Sequence, residues 1–433
     1  MSLKARRRRL ITLALLAALA GIATATVWSL NRLDEAPVPE AQGAAPSIPT
    51  TEAQITRGAY LARAGNCATC HTERGGAPYA GGRPLATPFG TVYSSNLTPD
   101  EATGLGRWSA DAFWRALHNG RSIDGRLLYP AFPYPNYTQV TRADSDALYA
   151  YLRSLPPTKA PNRAHELAFP FSTQPALAVW RALYFRPGVH RDEPARTAEW
   201  NRGAYLVRGL GHCAACHEAR NLLGASQGLE LAGGLMPLQN WYAPSLRDPH
   251  EAGVSDWSEQ EIVALLRTGM TPKGSVMGPM ADVVYRSTQH LSEPDLRAMA
   301  VFLKSLPPAG SRPPEPVRAT STRLAQGAAL YARHCAACHG EQGEGVPGVY
   351  PRLAGNRAVR MAEPANVIRV IAKGGFLPAT AGNPRPFGMP PFAHLLSDDE
   401  IAAVATYVRD SWGNRAGVVE PHVVGRLRAG GDD

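Results

Sequence analysis

The 433-residue sequence lacks the Gly-rich dinucleotide fingerprint, the phosphate-cradling P-loop and the H-E-x-x-H helix that would mark a nucleotide or zinc-hydrolase site. The string Gly209-Leu210-Gly211 runs straight into a cysteine motif instead of opening a phosphate-binding helix. A substrate must therefore be handled elsewhere. No stripe of Lys and Arg with interleaved aromatics is present either. The formal charge is +9, but Lys4 and Arg6 to Arg9 supply five of those charges at the amino terminus. What remains is too weak a field to suggest a nucleic acid partner. Pro and Gly, at 38 and 41 residues, are too abundant for one long helical bundle and indicate compact modules joined by loops.

Residues 10 to 30 contain no charged side chain. At about 1.5 Å per residue they form a helix long enough to cross a bilayer core of about 30 Å. Arg6 to Arg9 hold its start in the cytoplasm. This places the rest of the chain on the periplasmic side of a bacterial inner membrane. Ala23-Thr24-Ala25 offers a signal-peptide cleavage site, but the apolar run continues through Val27 and Trp28 to full spanning length, which favours a retained anchor.

Self-similarity organises the remainder. Arg57-Gly58-Ala59-Tyr60-Leu61 and Arg202-Gly203-Ala204-Tyr205-Leu206 are matched more loosely by Gln326-Gly327-Ala328-Ala329-Leu330-Tyr331. Helix-like segments, Ser145 to Leu155, Glu293 to Leu306 and Asp398 to Trp412, close the three copies, and the first two end in the same Ser-Leu-Pro-Pro. The implied layout is an anchor at 1–30, a linker at 31–53, a first domain at 54–157, and an aromatic-rich segment at 158–198. A second domain at 199–308, a Pro-rich linker at 309–321, a third domain at 322–414 and a tail at 415–433 follow. Phe169, Phe171, Trp180, Tyr184 and Phe185 crowd the aromatic segment, which is expected to pack between the first two domains.

All six cysteines fall in three identical arrangements: Cys67-Ala68-Thr69-Cys70-His71, Cys213-Ala214-Ala215-Cys216-His217 and Cys335-Ala336-Ala337-Cys338-His339. C-x-x-C-H is the attachment signature of c-type heme, in which two thiols add to the vinyl groups and the adjacent histidine coordinates iron. Zinc ribbons need cysteine pairs converging two by two, and three pairs leave one without a mate. Three covalent heme c groups are expected.

A low-spin heme needs a sixth ligand, and a methionine thioether is the usual soft partner. Met389 stands in Phe387-Gly388-Met389-Pro390-Pro391-Phe392, a loop pattern rather than a core one. In the second domain Met280, in Gly278-Pro279-Met280-Ala281, leads over Met277, with Pro and Gly presenting it from a loop. The first domain contains no methionine. Phe132, in Tyr129-Pro130-Ala131-Phe132-Pro133-Tyr134, stands where a thioether is wanted, and His118 and His165 are the spare imidazoles. Without one of them the first iron is five-coordinate or water-bound.

With those residues in place, the chain from about 51 to 414 resembles the membrane-bound triheme cytochrome c subunits of complexes that oxidise alcohols, aldehydes, sugar acids or N-heterocycles. The resemblance rests on the Gly-Ala-Tyr-Leu lead-ins, Ser95-Asn96-Leu97-Thr98-Pro99-Asp100 with Gly104 and Gly106, Trp241-Tyr242-Ala243-Pro244, and Ser411-Trp412-Gly413-Asn414. It implies a mostly α fold of three tandem class I cytochrome c domains after an N-terminal transmembrane helix. In that fold Gly58, Gly203 and Gly327 mark helix crossings, beside Tyr149, Phe302 and Tyr407. The implied axial pairs are His217 with Met280 and His339 with Met389. Members with a thioether at the first heme read Tyr-Pro-Ala-Met-Pro-Tyr, whereas a branch serving molybdenum hydroxylases is similar to this chain in having Phe there.

The resemblance further implies an electron carrier with no catalytic residues of its own. Its donor would be a catalytic dehydrogenase subunit, whether molybdenum hydroxylase, quinoprotein or flavoprotein, and its acceptor ubiquinone or a terminal oxidase. A catalytic multiheme enzyme, such as a peroxidase or sulfur-compound oxidase, is the alternative. It would need acid and base groups over an open heme, where the surroundings of Phe132 offer Pro, Ala and Tyr. A cytochrome module of a terminal oxidase is a further alternative, disfavoured by three repeats.

Overall fold

The computed structural model describes residues 3–32, 51–226, 230–236, 238–309 and 315–428; most of the linker 31–53 and residues 310–314 of the second linker lie outside them. Each repeat opens with a lead helix: Glu52–Ala64, Ala198–Ala204 continued by Tyr205–Leu210, and Ser321–His334. Thr51, Thr197 and Thr320 start these helices, each hydroxyl accepting the amide three residues on. Closing helices Arg142–Ser154, Glu293–Ser305 and Asp398–Asp410 finish the repeats. The first begins at Arg142, ahead of the expected Ser145, because Thr141 caps it by accepting from the Asp144 amide.

Lead and closing helices cross with their backbones in contact. A Cβ on Gly58 would collide with the Ala147 carbonyl and Tyr151, on Gly203 with Ala298 and Phe302, and on Gly327 with Ala403 and Tyr407. These glycines are the expected crossing points. The aromatic neighbour in the first repeat is Tyr151, however, and not Tyr149. It lies one helical turn beyond the contacted carbonyl, as Phe302 and Tyr407 do. Tyr149 faces the other way, donating to the Trp108 carbonyl at 2.5 Å and packing on Phe113.

The first two repeats share one hydrophobic core, from Leu61 and Leu148 to Leu206 and Phe302. Their interface is a reciprocal clasp. Arg57 donates to Asp144 of its own closing helix at 2.8 Å, and Tyr205 donates to the other Asp144 oxygen from across the interface at 2.6 Å. Arg202 donates to Asp295 at 2.8 and 2.7 Å, and Tyr60 reaches across to Asp295 at 2.6 Å. Within each Arg-Gly-Ala-Tyr-Leu string the arginine thus secures its own repeat and the tyrosine secures its neighbour. The third string has Gln326 and Ala329 at the matching positions, and its repeat forms a separate core. It docks on the second repeat through the Arg357–Asp256 ion pair at 2.8 Å. The Asn366 side chain adds two 2.8 Å hydrogen bonds to the backbone of Tyr242.

The N-terminal helix spans Leu3–Arg32, and its stretch Arg9–Asn31, of mean hydropathy 2.2, is not covered by the rest of the chain. Its end is tied down: Asn31 donates to the Ala178 carbonyl at 3.0 Å and accepts from Arg181 at 3.0 Å. Ala178 and Arg181 belong to the helix Gln174–Tyr184 of the aromatic segment. This segment packs mainly on the first repeat, with Phe185 on Tyr134 and Phe171 on Phe89, and reaches the second through Trp180, whose indole donates to the Leu223 carbonyl. Residues 415–428 of the tail are part of the third repeat. The helix Pro421–Arg428 buries Val424 and Leu427 in that core, and Arg428 pairs with Asp398 at 2.7 Å.

Candidate metal centres

The three C-x-x-C-H strings follow the lead helices. Cys67 comes after Asn66 and Cys213 after His212, both left-handed, with φ of 51° and 39°, while Cys335 directly ends its lead helix. Every histidine is then held in the same way. His71 Nδ1 donates to the Ser95 carbonyl at 2.7 Å, His217 Nδ1 to Pro244 at 2.8 Å, and His339 Nδ1 to Pro351 at 2.9 Å. A carbonyl can only accept, so Nδ1 carries the proton and Nε2 presents its lone pair, the arrangement of a metal-ligating imidazole with an oriented second partner. The histidine carbonyls in turn accept amides of Gly81, Gly233 and Gly345 at 2.9, 2.9 and 2.8 Å. These glycines have φ of 75°, 78° and 62° and press against the segment that carries the accepting carbonyl. Burial lowers the pKa of all three imidazoles, against the opposing effect of the hydrogen bond, which keeps the rings neutral and able to coordinate.

A register in the sequence marks these carbonyls. Ser95-Asn96-Leu97, Pro244-Ser245-Leu246 and Pro351-Arg352-Leu353 each place a leucine two residues on, and its amide ties the loop together. From the sequence alone, Ser95-Asn96-Leu97 and Pro244 stand out only as parts of family marks.

Burial pushes the Cys67 and Cys213 thiols up to about 12 and Cys335 to about 11, the second cysteine of each pair adding to the effect. Thiols held so high are unlike the low-pKa thiolates of redox pairs. Paired neutral thiols beside an imidazole with an available Nε2 fit covalently attached heme c.

Each repeat also carries a second helix, Ala110–Asn119, Glu259–Thr268 or Ala365–Lys373, and Val367, Val370 and Ile371 of the last line one cavity with His339. Gly120, Gly269 and Gly374 end these helices at φ of 58°, 75° and 66°. Met389 lies in the short strand pair Gly375–Phe376 with Gly388–Met389, rather than in a free loop, and lines one cavity with Cys335, Cys338 and His339. Met280 is in the first turn of the helix Pro279–Arg286, not in a loop, because Pro279 fits a helix start. It is half-buried against the shared core. Met277 lines the cavity of the third site instead.

In the first repeat Phe132 packs against the shared core, its ring 5.4 Å from Tyr137. His165 Nδ1 accepts the Tyr93 amide at 3.2 Å, which leaves the proton on Nε2 and removes that nitrogen as a ligand. His118 Nδ1 donates to the Thr138 carbonyl at 2.8 Å and its ring stacks on Trp114. The first and second sites adjoin: Tyr137 donates to the Gly65 carbonyl at 3.0 Å and approaches His212 Nδ1 at 3.4 Å, while Ser287 donates to the Ala64 carbonyl at 3.2 Å.

The family model Cytochrome c matches residues 55–156 and 324–412. The cytochrome c subunit of the quinone alcohol dehydrogenase of Gluconobacter oxydans is 40% identical over 408 residues, covering 90% of this chain and 85% of that one. The gluconate 2-dehydrogenase cytochrome c subunit of Pantoea cypripedii is 38% identical, covering 84% of this chain and 87% of its own. One subunit of the nicotinate dehydrogenase of Pseudomonas putida is 43% identical over 91% of this chain but only 32% of its own length, so the chain spans about a third of it.

Proposed function

Because the chain belongs to the family of dehydrogenase cytochrome c subunits, we propose that all three repeats are class I cytochrome c domains and that each holds one heme c. The chain is an electron-transfer subunit, with catalysis in a partner dehydrogenase subunit. Bound heme c supplies a one-electron couple. The attachment residues are Cys67 and Cys70, Cys213 and Cys216, and Cys335 and Cys338. His71, His217 and His339 present Nε2 to the iron. Met280 and Met389 supply thioethers to the second and third sites, and Phe132 leaves the first without one.

The observation that carries this reading is the threefold repetition of one histidine, one accepting carbonyl and one positive-φ glycine. It extends to the second repeat, between the two stretches matched by the family model. The experiment is a heme count on the purified full chain by pyridine hemochrome and intact mass. Three per chain is expected; two would overturn the reading.

The N-terminal helix supports an anchor in the bacterial inner membrane, with the heme domains on the periplasmic side. Phe169, at 83% exposure, and the exposed Val179 and Leu183 belong to the aromatic segment that holds Asn31, at the end of that helix. An apolar surface so placed suits the bilayer interface and brings the first repeat to the membrane. Ubiquinone or a membrane-bound terminal oxidase is the acceptor this arrangement favours. The partner is a dehydrogenase of the quinoprotein, flavoprotein or molybdenum hydroxylase class, the last favoured by Phe132.

A further inference from the structure

Building on the reading of three heme sites, we infer that the third is completed by the second repeat: Trp241 donates its indole N–H to a propionate carboxylate of the heme held by Cys335, Cys338 and His339. Trp241 lies on the strand Trp241–Ala243, is only 6% exposed, and lines the cavity that contains His339 and Met389. Its Nε1 is buried and has no hydrogen-bond partner among the described residues. An indole nitrogen can only donate, and the hydrogen-bond acceptors on the periphery of heme c are its two propionate carboxylates. The Arg369 guanidinium lies over the indole ring at 5.2 Å, adding positive charge to this side. Ser275 and Met277, also of the second repeat, line the same cavity.

The indole is held firmly. The next residue, Tyr242, is clamped by the two 2.8 Å hydrogen bonds of Asn366 in the third repeat. Two residues further on, the Pro244 carbonyl holds His217. Residues 241–244 therefore orient the imidazole of the second site and form part of the wall of the third.

A donor at the propionate stabilises its ionised form and offsets negative charge near the iron, which favours the reduced state. Trp241→Phe in the full chain keeps an aromatic ring and removes the N–H. With three hemes still bound, the midpoint potential of one centre is expected to fall, and the pH at which that potential inflects is expected to rise, because the carboxyl loses the bond that favours ionisation. The other two centres should be unmoved, and a Met389→His variant identifies the affected centre as the third. Unaltered potentials with three hemes bound would overturn the inference alone. A parallel shift of all three would also overturn it, since that is the behaviour of a packing residue. Wild-type protein with no heme at the third site would overturn the inference together with the functional reading beneath it.

Discussion

Replacing Asp295 with alanine is expected to lower the stability of the heme-loaded chain by about 2–3 kcal/mol at neutral pH, measured by urea denaturation. Removing one partner of a fully buried ion pair costs about 3–5 kcal/mol, and Arg202 here is 32% exposed, which reduces the effect. The loss falls on both sides of the interface, because Asp295 accepts from Arg202 of its own repeat and from Tyr60 of the other. Burial alone would raise the Asp295 carboxyl, but hydrogen bonds from Arg202 and Tyr60, with the charges of Arg202 and Arg57, hold it below its usual range. A carboxyl depressed by folding contributes stability that is present above the ordinary carboxylate pKa of about 4 and is lost as pH falls through the depressed value. Wild-type protein should therefore lose stability below about pH 4, and the Asp295→Ala curve should be flatter there. Identical slopes in that window would show that the carboxylate is not coupled to folding.

The second large effect is expected at Met389. Its replacement by alanine should lower the potential of one centre by a sizeable share of the ~0.8 V range over which axial ligands tune heme, because a thioether favours the reduced iron. Met389 faces the cavity that His339 lines, and only about four residues of strand carry it there. The fold should survive, since Met389 is only partly buried at the edge of its core. A redox titration superimposable on that of the wild type would remove Met389 from the ligand set.

What the sequence makes legible is local. C-x-x-C-H, the crossing glycines and the Pro-bordered methionines each lie within a few residues and have one dominant chemistry, and the structure brings Met389 to the cavity of His339 as that spacing implies. The clasp is different. Arg57 and Tyr60 read only as parts of a repeated lead-in, since their partners are 87 and 235 residues away, and the exchange between repeats exists only once both are folded. The choice between Tyr149 and Tyr151 depends on which face of the closing helix meets Gly58, a contact between residues far apart in sequence. Residues 415–433 read as a tail, whereas Val424 and Leu427 of the helix Pro421–Arg428 find their apolar companions in the third repeat. Trp241 marks the family in the sequence, but its place in the wall of another repeat's cavity is a tertiary fact.

The central claim is that three similarly held histidines serve three unequal centres: two with thioethers, and a first one where Phe132 stands instead. Near-infrared magnetic circular dichroism of the oxidised full chain, quantified against a count of three hemes, tests this most directly. The expected spectrum contains His/Met signatures equivalent to two centres and a third contribution without a thioether. Three equivalent His/Met signatures would contradict the account.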